Sequence, residues 1–343
     1  MAGGDVSFAR EVGQRLLHEP DYDPLAGVNA FWRDADVRFV NLESPLSFQN
    51  GETQSPRHRL IFTGPPEGAP ALRRAAITLV STANNHAWDY GRSALLETLT
   101  HLEQAGVFSV GTGGDLARAT RPVSIEVRGT RIAWLAVTHV WNQGPIEAHE
   151  GRDYVAWAKM RTLEPIIARA RRDHDLVILS YHGGAEYQDV PADTTRRFLD
   201  AALAAGVDVV IGHHPHVIQG IGFRAERPVF FSLGNLVFGV RPEHPWTRYG
   251  MIAKITLNPN GERQYSVCPY RIDQFTPDAL VSAADEAKRD AFLVHVKRAS
   301  AAVGGIRWGA FDGSGCVEVL PALTPQRVDP PRVDPEVRPL ARR

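Results

Sequence analysis

Four short apolar runs, far apart along the chain, each end on side chains able to bind a metal ion. Residues 37–40 deliver Asn41-Leu42-Glu43-Ser44-Pro45, and residues 77–80 deliver Asn84-Asn85-His86. Residues 176–181 lead to His182, and residues 207–211 lead to Gly212-His213-His214-Pro215-His216. A fifth run, 228–233, is followed in the same way by Gly234-Asn235. Stretches with helical character lie near 10–18, 27–35, 67–75, 92–105, 159–172 and 192–205. Strands alternating with helices predict an α/β fold with helices on the outer faces, and in such folds sites form beyond the carboxyl ends of the strands. The four segments are therefore expected to meet at one rim.

The histidine-rich segment is the most chemically specific of the four. Pro215 fixes its own φ and has no backbone donor, so His214 and His216 are expected in extended chain with both side chains on one face. Imidazole is the commonest protein ligand for transition metals, and two on one face could hold one ion or two neighbours. An ordinary polar loop after a strand is the alternative.

The remaining chain is read more coarsely. Residues 47–66 form a loop long enough to be functional, and 139–154 form a second irregular segment. Gly111-Thr112-Gly113-Gly114-Asp115 matches no full phosphate-loop fingerprint and is expected to be a turn. Residues 121–128 and 131–138 read as a hairpin, 249–275 as antiparallel strands, and 278–299 as a helix. The expected domains are residues 1–258, then 259–323 as C-terminal strands and a helix packed on the first, then a disordered Pro- and Arg-rich tail over 324–343.

Bulk properties exclude several roles. With a net charge of −1, no field of one sign recruits nucleic acid or a membrane surface. No run suits a membrane span, and no signal pattern is present, so a soluble, cytoplasmic protein is expected. Cys268 and Cys316 lack metal-site spacing and are expected as thiols in a reducing compartment.

Taken jointly and in order, several motifs carry a resemblance. They are Gly4-Asp5, Asn41-Leu42-Glu43-Ser44-Pro45, Asn84-Asn85-His86 with Asp89 and Gly91, and Tyr181-His182-Gly183-Gly184 with Glu186. Gly212-His213-His214-Pro215-His216-Val217-Ile218-Gln219 and Ser232-Leu233-Gly234-Asn235 complete the set. The sequence resembles the CapA family of capsule or poly-γ-glutamate biosynthesis proteins, whose fold is similar to the calcineurin-like metallophosphoesterases. The resemblance implies an αββα sandwich with mixed sheets.

It also implies a centre of two divalent ions, Mn, Fe or Zn. Asp5 and His216 would hold the first ion, Glu43 would bridge, and Asn85, His182 and His214 would hold the second. His86 would be the catalytic acid with Asp89 orienting it, and metal-activated hydroxide would attack a phosphoester or an amide, including a γ-glutamyl one. His213, Asn41 and Asn84 would support the ligands or meet substrate. In this sequence Asp5-Val6-Ser7 replaces the Asp-x-His of the wider phosphoesterase pattern, and Glu43 stands in an Asn-x-Glu setting instead of a Gly-Asp-x-x-Asp one, which leaves the first ion with fewer donors. A non-hydrolytic or amide-forming accessory role in capsule polymer or natural-product biosynthesis is the alternative, and either would act on an anionic small molecule or polymer.

Other residues admit two readings. Glu186 either holds His182 or is an exposed loop carboxylate, and Asn235 either bonds at the site floor or caps a turn. Arg241, His244 and Arg248 either meet an anionic substrate or are solvated. Trp88, Trp141 and Trp246 either wall a pocket or pack core. His101, His139, His174 and His295 are expected to be structural, and His18, His58, His149 and His244 to be at the surface.

Overall fold

The computed structural model of the chain describes residues 1–258 and 260–322. The chain begins β1 (Ala2–Val6), α1 (Arg10–His18), α2 (Asn29–Trp32), β2 (Phe39–Leu42), α3 (Gly68–Arg74) and β3 (Leu79–Ser81). It continues through α4 (Gly91–Gln104), β4 (Phe108–Val110), α5 (Leu116–Ala119), β5 (Val123–Val127) and β6 (Thr130–Thr138). Then come α6 (Met160–Asp173), β7 (Leu176–His182), α7 (Asp193–Ala205), β8 (Val209–His213), β9 (Ile221–Arg224) and β10 (Arg227–Phe230). The last elements are β11 (Asn235–Val237), β12 (Tyr249–Leu257), β13 (Arg263–Asp273), β14 (Thr276–Ala279), α8 (Glu286–Ala301), β15 (Ile306–Phe311) and β16 (Val317–Pro321).

These strands make two mixed sheets. The larger runs β15-β16-β13-β12-β1-β2-β3-β4, with β11 beside β1 and β14 beside β13, and the smaller runs β5-β6-β7-β8-β10-β9. Strands β1 to β4 are parallel to their neighbours in that block. So are β6, β7, β8 and β10. Each sheet therefore presents a row of strand C-termini, and the strands past residue 258 extend the same sheet that contains β1.

Three apolar layers fix the stacking. Between the sheets, Phe39, Leu79, Trp134, Ile178 and Ile211 are buried together, with the Phe39 and Trp134 rings stacked at 4.8 Å. On the outer face of the larger sheet, Val12 and Leu16 of α1, Leu72 of α3 and Leu102 of α4 pack with Val40 and Val80. On the outer face of the smaller sheet, Leu163 and Ile167 of α6 and Leu199 and Leu203 of α7 pack with Val177, Leu179 and Val210. Spacings of four put each pair on one helix face, and each buried large side chain is worth about 1.5–3 kcal/mol relative to exposure. The result is the helix-sheet-sheet-helix sandwich that was expected.

Several local expectations need correction. The helix expected over 27–35 is only a 3-10 turn, Ala26–Val28, followed by the four-residue α2. Gly27 there lies so close to the Pro277 carbonyl that any Cβ would collide with it, so the segment is shaped by contact with β14. The helix expected over 278–299 begins as strand β14, antiparallel to β13, and α8 starts only at Glu286 after a capping box between Ser282 and Asp285. Cys268 and Cys316 are not thiols: they form a disulfide, because β13 and β16 pair with Val267 opposite Val317 and bring the two cysteines to a Cα–Cα distance of 4.1 Å. The tail over 324–343 lies outside the described residues. No helix among the described residues is long and apolar enough to cross a membrane.

Candidate metal centre

The C-terminal ends of the two parallel blocks meet at one rim, and the chemically active residues gather there. Asp5 lies near the end of β1, in register with Asn41 of β2 on one side and Asn235 of β11 on the other. Glu43 directly follows β2, Asn84 to His86 follow β3, His182 ends β7 and His213 ends β8. Glycine permits the close approach. A Cβ on Gly4 would collide with the Gly234 carbonyl oxygen, and one on Gly212 with the Phe231 carbonyl oxygen.

The extended conformation expected for His214 and His216 is not observed. Both sit at positive φ, 98° and 58°, a region that costs a non-glycine residue about 1–3 kcal/mol. The turn is held by the His214 backbone N–H, which donates to Asp5 Oδ2 at 3.2 Å, and by the Tyr187 N–H, which donates to the Pro215 carbonyl at 2.8 Å. The strained turn aims both imidazoles inward, where each is buried.

Asn41 is the hub of the polar network. Its amide nitrogen donates to Asp5 Oδ1 at 2.9 Å and lies 3.2 Å from His182 Nδ1 and 3.5 Å from Glu43 Oε2. His182 Nε2 in turn lies 2.8 Å from Asn85 Oδ1. His216 Nδ1 is 2.9 Å from Asn235 Oδ1 and 3.7 Å from Asp5 Oδ2. His213 Nδ1 is 3.0 Å from Asp5 Oδ1, a close contact without hydrogen-bond alignment. Asn84 braces the site from behind, donating to the Leu42 carbonyl at 2.8 Å and accepting from the His86 N–H at 3.1 Å.

Two sets of donor atoms lie within 4.8 Å of one another: Asp5, Glu43 and His182, and Glu43, His214 and His216. Glu43 is common to both. The remaining donors divide differently from the expected assignment, which put Asp5 with His216 and His182 with His214. Two contacts still link the expected pairs, the 3.7 Å approach of His216 to Asp5 and the 4.8 Å separation of the His182 and His214 rings.

The donor set suits a divalent cation on electrostatic grounds. Glu43 is fully buried, and its Oε1 has no hydrogen-bond partner although it lies 3.7 Å from both His182 Nε2 and His216 Nε2. Burial, and next the Asp5 carboxylate, push the Glu43 pKa well above the ordinary range. Asp5 is held low: burial opposes its charge, but contacts to His213, His216 and Asn41 outweigh it. Burial also lowers the pKa of His182, His216 and His214, the last to about 4, so these rings are neutral at pH 7 and their lone pairs are available. His214 Nδ1 is likewise buried without a partner. An unpaired buried carboxylate oxygen among neutral imidazoles is costly alone and is relieved by a cation.

Beside these donors stands a histidine–carboxylate pair. His86 Nδ1 is 2.8 Å from Asp89 Oδ2, and the same oxygen accepts the Phe62 backbone N–H at 3.0 Å. The Phe62 ring stacks on His86 with centroids 4.0 Å apart.

Some expected partners are elsewhere. Glu186 is exposed on the loop after β7 and makes no hydrogen bond to His182, which Asn41 and Asn85 hold instead. Arg248 ends a 3-10 turn and forms no hydrogen bond or ion pair with any of the site residues among the described residues. Trp88 and Trp141 pack in an aromatic cluster with His149, and Trp246 stacks on buried His295 at 3.8 Å. Three contributors carry no sequence signal of their own. Asn142 accepts from Asn85 Nδ2 at 3.2 Å, Phe62 holds the His86 pair, and the Tyr270 hydroxyl donates to the Asn235 carbonyl at 2.6 Å. The unusual length of the 47–66 and 139–154 segments was the available hint for the first two.

Comparison with known proteins decides the family. The model described as bacterial capsule synthesis protein PGA_cap matches residues 1–240. The chain belongs to this capsule synthesis family. The PGA biosynthesis protein CapA of Bacillus subtilis is 31% identical over 278 residues, covering 80% of this chain and 71% of that protein. The capsule biosynthesis protein CapA of Bacillus anthracis is 27% identical, covering 82% of this chain and 69% of that one. A Mycobacterium tuberculosis protein named for an accessory role in polyglutamine synthesis is 29% identical over 215 residues, covering 59% of this chain and 55% of its own. Among solved structures, the NAD nucleotidase of Haemophilus influenzae is similar over 78% of this chain and 55% of its own, at 15% identity and a TM-score of 0.44, a likeness too weak to carry function.

Proposed function

We propose that this PGA_cap chain is a metal-dependent hydrolase of an anionic substrate, cleaving a phosphoester or an amide such as a γ-glutamyl bond. The observation that carries the reading is the buried, partnerless Glu43 oxygen between two imidazoles, beside a preassembled His86–Asp89 pair. Asp5, Glu43, Asn85, His182, His214 and His216 would hold two divalent cations, of which Mn, Fe and Zn suit this mixture of oxygen and imidazole donors. When bound, the cations would supply Lewis-acid charge at the reacting centre and a more acidic water.

The chain's own residues do the rest. Asn41 and Asn235 orient the donors, and Asn84 fixes the start of the His86 turn. Asp89 engages His86 Nδ1, which turns Nε2 toward the task of giving a proton to the leaving oxygen or nitrogen. The stacked Phe62 ring limits rotation of the imidazole and keeps water from its face. The name of the Bacillus subtilis relative, a PGA biosynthesis protein, supports a glutamate polymer as the substrate class, and the mycobacterial name, a polyglutamine synthesis accessory protein, favours a second reading, a non-hydrolytic accessory that binds a polymer. The disulfide favours work in an oxidising compartment over the cytoplasm expected from sequence.

The test begins with elemental analysis of protein purified without chelator. Turnover of p-nitrophenyl phosphate or a γ-glutamyl anilide is expected in the wild type and is expected to fall at least about 100-fold in His86→Ala with metal retained. Metal-loaded wild type that turns over neither compound would leave the accessory reading standing.

A further inference from the structure

Two arginines lie against the aromatic rings that flank the site, Arg10 by Phe62 and Arg241 by Tyr187. Arg10 opens α1 at φ 54°, again a strained value for a residue with a side chain. Its backbone is pinned there by Thr53, which accepts the Arg10 N–H at 3.1 Å and donates its hydroxyl to the Arg10 carbonyl at 3.0 Å. The guanidinium carbon lies 5.0 Å from the centre of the Phe62 ring, the ring that stacks on His86. One terminal nitrogen donates to the Arg59 carbonyl at 3.0 Å, while Nε is buried with no partner. No carboxylate forms an ion pair with Arg10 among the described residues.

Arg241 lies on the His216 side of the site. Its guanidinium carbon lies 5.8 Å from the centre of the Tyr187 ring, which is itself 6.1 Å from the His216 ring. Tyr187 also has a positive φ, 60°, and is tied to the Pro215 carbonyl. The one ion pair of Arg241 among the described residues is with Glu243 at 3.7 Å, an exposed contact worth under about 1 kcal/mol. Burial and then the Arg241 charge lower the Arg10 pKa below the usual arginine value, with Tyr187 and the Asp89 carboxylate working the other way. Glu186 contributes negative charge on the His214–His216 side and leaves Arg10 unpaired. Two guanidinium groups flanking the site, Arg10 on a strained backbone with an unsatisfied buried N–H and Arg241 with only an exposed ion pair, suit an oxyanion that is not part of the protein.

We propose that Arg10 and Arg241 clamp an oxyanion of the substrate, a carboxylate or a phosphate, at the mouth between His86 and His216. The clamp deepens the hydrolase reading and rests on it for the position of the reacting bond. Arg10 would grip from the His86 side with its fork, and Arg241 would close from the His216 side.

The experiment is calorimetric titration of metal-loaded full-length protein with two probes, a γ-linked glutamate pentamer and phenyl phosphate. Elemental analysis and melting temperature are recorded for each variant. In Arg10→Met and in Arg241→Met, Kd for at least one probe is expected to rise about 10–100-fold with metal content unchanged. The salt dependence of binding should weaken alongside. The probe that loses affinity identifies the oxyanion as carboxylate or phosphate. Arg10→Lys, which keeps the charge and loses the fork, should bind with intermediate affinity and serves if Arg10→Met does not fold. Unchanged Kd for both probes in both arginine variants, or no binding of either probe by wild type, would overturn the clamp. Because binding is measured without turnover, a protein that binds through these arginines but hydrolyses nothing refutes the hydrolase reading alone. A protein that hydrolyses with unaltered affinity in the variants refutes the clamp alone.

Discussion

Replacing Asn41 by alanine tests the centre more sharply than replacing a ligand, because Asn41 is itself not assigned to a metal. Its amide nitrogen faces Asp5, His182 and Glu43 at 2.9, 3.2 and 3.5 Å, so one truncation releases three proposed ligands at once. Hydrogen bonds to charged groups contribute about 1.5–3 kcal/mol each, and loss of a residue that orients metal ligands costs about 10–100-fold in metal affinity. That range corresponds to about 1.4–2.8 kcal/mol of binding free energy. The fold should survive, because Asn84 keeps its 2.8 Å bond to the Leu42 carbonyl and β1–β2 pairing does not use the Asn41 side chain. The assay is titration of Mn²⁺ and of Zn²⁺ into chelator-treated wild type and Asn41→Ala, with circular dichroism as a control. Affinities within twofold of wild type for both ions, in a folded variant, would show that these donors do not act as a metal site.

Two further outcomes follow from features outside the Asn41 network. Cys316→Ser opens a cross-link spanning 48 residues, and chain-entropy reasoning puts the loss near 4 kcal/mol. A melting curve should therefore shift down by several degrees, and an unshifted curve would show that the bridge does not constrain the unfolded chain. Metal-free protein should lose stability as pH falls from 6.5 toward 4. The unfolded chain protonates His214 near 6.5 and the folded chain only near 4, and His182 and His216 act in the same direction while Glu43, raised, opposes them. A melting temperature that stays level or rises across that interval would contradict the burial of neutral imidazoles.

The site was legible where its chemistry was local. Glu43, His86, His182 and His214 each follow an apolar strand closely, and strand ends in parallel blocks converge whatever the loops do. What the sequence hid was anything settled by distant contact. Cys268 and Cys316 have no informative spacing because cross-strand register, not separation along the chain, brings them together. Thr276–Ala279 joins β13 as a strand because an edge was available, although it leads into a helix. The turn at His214 and His216 departs from extended chain because Asp5 and Tyr187 hold it, and neither influence is visible from Pro215 alone. Asn142 and Arg10 have ordinary neighbours and acquire significance only through Asn85 and Phe62.

The central place of β1 in the larger sheet has a consequence for how the protein comes into being. This strand is near the start of the chain, yet its flanking partners β11 and β12 are made more than two hundred residues after it, and Asp5 meets the His214 amide across 209 positions. During synthesis one side of β1 must wait as an open edge, exposed to wrong pairing. A nascent chain that ends before residue 182 would also lack His182, His214 and His216, three of the six proposed donors, so any ion would have to wait for that half of the set.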